Sequence, residues 1–156
     1  MSENEEILWK GKPSQLVNFN TYLLSGIVAL AIIIFSFHWD WIFLLVFLPI
    51  GYAFKKWLTV NSYNYELTSE RMRVTTGIFT KNFEEIELYR IRDYSIVQPF
   101  FLRLFSLGNV ILKTSDKTMP ELTISAIKDF IDVKDKIRER VEILRKEKDI
   151  KEVDYT

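Results

Sequence analysis

The chain has 156 residues, and its 21 Lys and Arg residues balance 21 Asp and Glu residues, so the formal net charge is zero. It contains no Cys and one His, which excludes disulfides, thiol nucleophiles and zinc sites built from Cys or from two His residues. The charge balance gives no reason to expect nucleic-acid binding, which depends on an excess of basic residues.

The first apolar segment lies in a stretch of 27 residues, 13–39, that contains no charged side chain. A helix needs about 20 apolar residues to cross the hydrocarbon core of a bilayer. Inside a soluble fold such a helix would have to be covered on every side, which a chain of this size cannot do. The segment therefore predicts a transmembrane helix over residues 19–38. A cleaved signal peptide is not expected, because residues 1–12 carry no basic leader.

A second apolar run of 14 residues extends from Trp41 to Phe54. Including residues 55–58 lengthens it to 18, because lysine stems can lie along the hydrocarbon while their ammonium groups reach the headgroups. The run predicts a second transmembrane helix over residues 41–58. The alternative is a segment that lies half inserted at the membrane interface.

The positions of the lysines predict the orientation of these two helices. Lys10 and Lys12 precede the first span, Lys55 and Lys56 lie at the end of the second, and the loop between the spans contains no Lys or Arg. Because such residues favour the cytoplasmic side, we expect a multi-pass protein of the cytoplasmic membrane with both termini in the cytoplasm. Residues 1–18 would form a cytoplasmic N-terminal segment, and residues 19–58 a transmembrane helical hairpin.

The remaining sequence predicts a cytoplasmic α+β domain over residues 60–148, followed by a tail at 149–156. Alternating apolar residues predict six strands, at 63–68, 71–76, 84–88, 91–98, 109–114 and 121–124. Residues 100–107 are strongly apolar and fit a strand, a short helix or an exposed loop. Apolar residues at helical spacing predict a C-terminal helix with Ser125 as its N-cap. The domain is thus expected to be a small antiparallel β-barrel or sandwich capped by a helix.

No residue pattern predicts catalysis, a metal site or a cofactor. The only histidine, His38, lies in the loop between the two spans and has no nucleophile beside it. Adjacent carboxylates such as Glu84 and Glu85 are expected to be solvated. The cores of the predicted spans contain no ionisable side chain, which argues against a transporter subunit.

Two sets of residues are candidates for binding. Basic residues on or beside the spans and early strands could bind anionic lipid at the cytoplasmic leaflet; they are Lys55, Lys56, Arg71, Arg73, Arg90 and Arg92. A run of apolar residues is expected to form an exposed patch that contacts a protein partner; it comprises Phe100, Phe101, Leu102 and Phe105.

Several segments resemble the bacterial pleckstrin-homology-like, membrane-flanked domain family; they are Glu6–Ser14, Tyr65–Arg71, Val74–Phe79, Ile86–Asp93 and Arg103–Leu112. The resemblance implies a seven-stranded, strongly bent β-barrel or sandwich closed by one C-terminal helix, so a strand is missing from the six above. We expect it at Lys81–Phe83 or Leu102–Phe105. The resemblance implies no activity and supplies no catalytic residue.

These observations predict a non-enzymatic scaffold, anchored in the bilayer, that binds a protein partner or another copy of itself at the cytoplasmic membrane face. One alternative is a module that senses anionic lipid. A small transporter subunit is a further alternative, which the absence of charge within the spans disfavours.

Overall fold

The computed structural model describes residues 5–148, apart from the side chain of Asp40, and the predicted tail at 149–156 lies outside the described residues. The strands are β1 Ile7–Gly11, β2 Asn64–Thr68, β3 Arg71–Thr76, β4 Asn82–Glu87, β5 Ile91–Val97, β6 Gly108–Thr114 and β7 Glu121–Ile127. The α-helices are α1 Phe19–Ser36, α2 Phe47–Asn61, α3 Phe100–Leu104 and α4 Phe130–Glu147. Short 3₁₀ segments occupy Gln15–Asn18, Asp40–Val46 and Leu88–Arg90.

The helices α1 and α2 pack against each other as a helical hairpin. With the adjoining 3₁₀ residues, the two helical segments run from Gln15 to Ser36 and from Trp41 to Asn61, which is 22 and 21 residues. At about 1.5 Å per residue each is at least as long as the roughly 30 Å hydrocarbon core of a bilayer. Among the described side chains of these segments, only Val46 and Val60 are buried. Both segments are therefore long and apolar enough to cross a membrane.

The seven strands form two antiparallel sheets, with strand orders β1-β2-β3-β4 and β5-β6-β7. Alternation places Leu67 and Met72 in the core, where they are opposite each other in the β2–β3 register and fully buried. The second sheet contributes Leu112 and Ile124 to the same core. The expected α+β architecture, with two antiparallel sheets and a C-terminal helix, is confirmed.

The strand missing from the sequence-based prediction is β1, in the segment before the helical hairpin. Lys10 pairs with Glu66 and Gly11 with Tyr65, so this segment completes the first sheet. Neither expected position holds an additional strand, because Lys81–Phe83 runs into β4 and Leu102–Phe105 lies in and just after α3. β1 escaped prediction because an edge strand of five residues shows no clear alternation.

The C-terminal helix covers the core with the predicted spacing, but it begins later than expected. Its buried residues are Val133, Ile137, Val141 and Leu144. Ser125 is not its N-cap, because β7 continues to Ile127 and the helix begins at Phe130. Residues 100–107, for which a strand, a short helix and a loop were all possible, form the short helix α3 followed by three residues that lead to β6.

The β domain has two ends, which we call the near end and the far end by their position relative to the helical hairpin. The near end contains the strand termini that lead into or out of the helical hairpin, and the termini of the other strands that lie beside them; they are Gly11, Asn64, Thr76, Val97, Gly108 and Ile127. The far end contains the opposite termini; they are Ile7, Thr68, Arg71, Ile91, Thr114 and Glu121. Consequently the β3–β4 connection (residues 77–81) and the β5–β6 connection (residues 98–107) both lie at the near end.

Replacing Ile137 with Ala is expected to destabilise the folded β domain by about 2–5 kcal/mol, because it leaves a cavity beneath α4. Ile137 is fully buried, whereas Ile131 of the same helix is 56% exposed. The matched control Ile131→Ala should change the unfolding free energy by no more than about 0.5 kcal/mol. Urea unfolding of the full chain in detergent measures both changes, and equal effects would show that α4 does not cover the core.

Candidate functional site

A joint of backbone and side-chain contacts fixes the β domain to the base of the helical hairpin. The N–H of Ser14 donates to the carbonyl of Ala126 at 3.0 Å, which links the segment before α1 to β7. The side-chain amide of Gln15 donates to the carbonyl of Trp57 at 3.2 Å, which links the same segment to α2. Leu16 packs against the small apolar cluster at the near end. The helical hairpin and the β domain thus meet in one place.

Ala126 has an unusual backbone conformation at this joint, with φ of 49°. Such left-handed values are uncommon for residues other than glycine and persist where the surroundings hold them. Here the N–H of Ala126 donates to the side-chain oxygen of Asn109 at 2.8 Å, while its carbonyl accepts from Ser14. The two hydrogen bonds tie the end of β7 to Asn109 of β6 and to the segment that leads into α1.

The arginines of β3 are paired with carboxylates on the outer face of the first sheet. Arg73 lies 3.0 Å from Glu85 and 3.5 Å from Glu66, and it also contacts Glu5. Arg71 lies 3.2 Å from Glu85 and 3.4 Å from Glu5. Hydrogen bonding to Glu85 raises the pKa of Arg71. An anionic headgroup would have to displace these carboxylates in order to bind either arginine.

The six candidate lipid-binding residues are not brought together. Arg90 lies at the far end and forms ion pairs of 3.0 Å with Glu87 and with Asp116. Arg92 is exposed beside it on β5. Lys55 and Lys56, by contrast, lie on α2, where Lys56 sits 5.8 Å from the ring centroid of Tyr52. The structure therefore separates the lysines from the far-end arginines by the length of the β domain.

The near end presents basic residues outside the six candidates for lipid binding. They lie before α1, in the β3–β4 connection, on α3 and just after β7; they are Lys12, Lys81, Arg103 and Lys128. All four are exposed, and none forms an ion pair within residues 5–148. Together with Lys55 and Lys56 on α2, they give this end of the β domain a set of basic residues. Asp129, which follows Lys128 in the sequence, is a carboxylate beside them.

The apolar candidate patch lies at the near end, on and beside α3. Phe100 is 74% exposed, and Phe101 and Phe105 are 44% and 49% exposed, as expected for a contact surface. Leu102 was expected to be exposed with them, but it is only 5% exposed and packs inward with Leu107. A side chain buried in this way is not available to a partner. Leu104, which the sequence reading left out, is 69% exposed instead.

The β3–β4 connection carries a second exposed apolar group at the near end. Phe79 is fully exposed and Ile78 is 40% exposed. Gly77 turns the chain here with φ of 106°, and a Cβ at this position would lie 1.8 Å from the carbonyl oxygen of Thr80. The turn thus requires glycine and holds the two apolar side chains away from the core.

A shallow groove of about 750 Å³ crosses the outer face of the first sheet. Its floor carries a row of alternating charges in cross-strand register; the row is Lys10, Glu66, Arg73 and Glu85. Phe83, which is 72% exposed, lies at one side. An exposed aromatic ring is a feature of protein-contact surfaces, where aromatic side chains are enriched.

A family described as a bacterial PH domain (PH, pleckstrin homology) matches residues 16–141, a range that includes both apolar helices and β2 to β7. The chain belongs to the bacterial PH domain family. No curated protein and no solved structure matches it.

Bacterial PH domains are a family of generally non-catalytic modules. Within residues 5–148, no group of three His, Asp or Glu side chains is arranged to hold a metal ion. His38 lies exposed in the connection between α1 and α2, far along the chain from the carboxylates of the β domain. Several titratable groups of this bacterial PH domain instead form surface ion pairs, among them Arg71, Arg73 and Arg90.

The far end of the bacterial PH domain holds a hydrogen-bonded acidic cluster. The hydroxyl of Tyr89 donates to Glu87 and lowers the pKa of that carboxyl, with Arg90 as a smaller contributor. The hydroxyl of Thr118 donates to Asp116 at 2.7 Å and lowers its pKa in the same way. Both carboxylates are therefore favoured in their charged form when the domain is folded.

Stability is expected to fall as the pH drops below 4.5, the ordinary pKa of a Glu side chain. Because the folded-state pKa of Glu87 is lower than its unfolded value, the unfolded chain binds the proton first. The stabilisation is therefore present above the ordinary value and is lost as the pH falls toward the lowered one. Tyr89→Phe should make this loss shallower, whereas Tyr63→Phe removes a hydroxyl not bonded to any described carboxylate. Urea midpoints measured against pH would contradict this if the two variants behaved alike.

Proposed function

We propose that this bacterial PH domain is a non-enzymatic scaffold fixed to the cytoplasmic membrane by its helical hairpin. In this proposal residues 19–58 span the bilayer twice, and both termini lie in the cytoplasm. Residues 60–148, joined by β1 from the N-terminal segment, form the cytoplasmic domain. That domain binds a protein partner or another copy of the chain.

The exposed apolar surface of the helical hairpin is the observation that carries the proposal. Leu24, Leu30, Phe35, Leu44 and Leu48 are each more than half exposed. Fully burying a side chain of this kind is worth about 1.5–3 kcal/mol. No other part of the described chain covers them, and a bilayer supplies the missing apolar surroundings along the full length of both helices.

The positions of Lys and Trp support the proposed orientation. Lys55, Lys56 and Trp57 lie in the half of α2 that leads to the β domain, and Lys12 precedes α1 at the same level. The opposite end of the helical hairpin has Trp39 and Trp41 but no Lys or Arg. Trp favours both interfaces, whereas Lys favours the cytoplasmic one.

Cysteine labelling is expected to show that the loop between the helices and the far end of the domain lie on opposite sides of the membrane. The chain contains no Cys, so His38→Cys and Lys117→Cys each introduce a single reactive thiol. In spheroplasts, a membrane-impermeant maleimide should label the first variant. It should label the second only after permeabilisation.

Two results would contradict the topology in different ways. Labelling of Lys117→Cys in intact spheroplasts would reverse the orientation. Recovery of both variants from the soluble fraction, without detergent, would show that the helical hairpin is not in a membrane at all.

The groove on the outer face of the first sheet supports a scaffold role. It opens on the outer face of the sheet and runs from Glu66 and Glu85 toward Lys12 and Lys81 at the near end, so a partner bound there would lie close to the membrane surface. The helical hairpin offers surfaces for self-association as well. Two apolar grooves of about 470 Å³ lie along the helices, and Ser25 lines both. Small residues at such places permit close helix packing in membranes.

The basic residues of the near end support anionic-lipid binding as a second candidate function. Lys12, Lys81, Arg103 and Lys128 are free of ion pairs within the described part of the chain and share one end with Lys55 and Lys56. Each basic residue near an anionic leaflet contributes about 1 kcal/mol. This set differs from the predicted arginines, of which Arg71, Arg73 and Arg90 are already paired.

The transporter alternative gains no support from the helical hairpin. The two grooves beside the helices are lined mainly by apolar side chains, and among the described residues neither contains Asp, Glu, Lys, Arg or His. Ion and proton pathways usually place such groups within the membrane.

A photo-crosslinking amino acid at Phe83 is expected to give a discrete adduct in native membranes, because this exposed ring borders the groove. The same amino acid at Lys117, on the far-end turn, serves as the matched control. The adduct mass decides between a second copy and a different protein. A monomer band alone at Phe83 under conditions that activate the crosslinker would count against the scaffold.

A further inference from the structure

One side of the short helix α3 packs against the β domain, and the opposite side is apolar and exposed. Leu102 is 5% exposed and packs with Leu107 and Ala126, which holds the helix against the end of β7. Phe100 and Leu104 are 74% and 69% exposed on the other side. Water does not favour such a surface, and a contiguous apolar patch of this kind indicates a contact site.

Contacts with the helical hairpin place α3 at the level of its interfacial residues. The ring centroids of Phe101 and Phe19 are 5.0 Å apart, so α3 touches the first residue of α1. The side-chain amide of the preceding Asn18 donates to the carbonyl of Lys56 at 3.5 Å. Lys56 and Trp57 are of the residue types that lie at the membrane–water boundary. α3 therefore lies at the depth of that boundary when the helical hairpin is inserted.

The charge beside this surface fits a lipid headgroup. Arg103 is exposed on α3 and forms no ion pair within residues 5–148. A long basic side chain beside apolar neighbours can keep its stem in the hydrocarbon while its head reaches the phosphates. An anionic leaflet attracts such a residue.

We infer that α3 inserts into the interfacial layer of the cytoplasmic leaflet and forms a third membrane contact of this chain. The occupant of its outer surface is the lipid bilayer, because this surface continues that of α1 through the Phe101–Phe19 contact. The inference rests on the proposed insertion of the helical hairpin. It adds that α3 holds the near end of the β domain against the membrane surface.

Fluorescence quenching in protein-free vesicles tests this contact directly. The full chain is reconstituted into vesicles of phosphatidylethanolamine and phosphatidylglycerol that contain a lipid with a nitroxide on its acyl chain. Because the chain has no Cys, Leu104→Cys, Ile34→Cys and Lys117→Cys each carry one environment-sensitive label. Ile34 lies in α1 and reports insertion of the helical hairpin, and Lys117 lies on the far-end turn.

The inference expects strong quenching at positions 34 and 104 and none at position 117. Quenching at 34 with position 104 behaving like position 117 would overturn the inference while the anchor stands. That result would leave the outer surface of α3 to a protein partner. Absence of quenching at 34 would overturn the proposed function and, with it, this inference.

A second pair of variants separates insertion from mere proximity. Adding Phe100→Ser and Phe105→Ser to the Leu104→Cys chain removes the exposed rings on either side of the label and should abolish most of its quenching. Ile7→Ser, which changes a 47% exposed residue at the far end, should leave the quenching unchanged. Equal quenching in all three chains would show that these side chains do not hold α3 in the lipid.

Discussion

The uncovered apolar surface of the helical hairpin is the constraint on which the rest of this structure depends. Two helical segments of 22 and 21 residues leave nearly all their side chains partly or fully exposed, and Val46 and Val60 are the only buried ones among those described there. In water, the hydrophobic free energy that these side chains fail to gain by burial would exceed the roughly 5–15 kcal/mol by which a domain is usually stable. The proposed insertion in a bilayer would cover this surface and would also orient the β domain that is attached to the two helices.

The attachment explains why the two ends of the β domain differ. The strand β1 enters the first sheet before the chain reaches α1, and β2 leaves α2 directly, so the helical hairpin is inserted between neighbouring strands. The joint at Ser14 and Ala126 then ties the second sheet to the same base. One end thereby collects exposed apolar side chains and cations that form no ion pair within residues 5–148, while ion pairs such as Arg90 with Asp116 lie at the other.

The sequence predicted most of the fold because its dominant signals are local. Alternation located six strands, and helical spacing located the buried residues of α4, while the long uncharged run located α1. The edge strand β1 gave no such signal, and the start of α4 was placed too early because Ser125 has the chemistry of a cap but lies in β7. The site was harder to predict, because the pairing of Arg71 and Arg73 depends on strand register and on Glu5 from a distant segment. One further signal lies in the strand order. In an antiparallel meander every second connection lies at the same end, so residues 77–81 and residues 98–107 could have been assigned to one end of the β domain from the sequence.

Extraction of membranes tests most directly whether lipid covers the helical hairpin. Membranes from cells that make the full chain are washed with alkaline carbonate, which removes peripheral proteins, and then with detergent. The account predicts that the chain stays in the pellet through the carbonate wash and is released only by detergent. Release by carbonate, or recovery of the folded chain from the cell lysate without detergent, would contradict it.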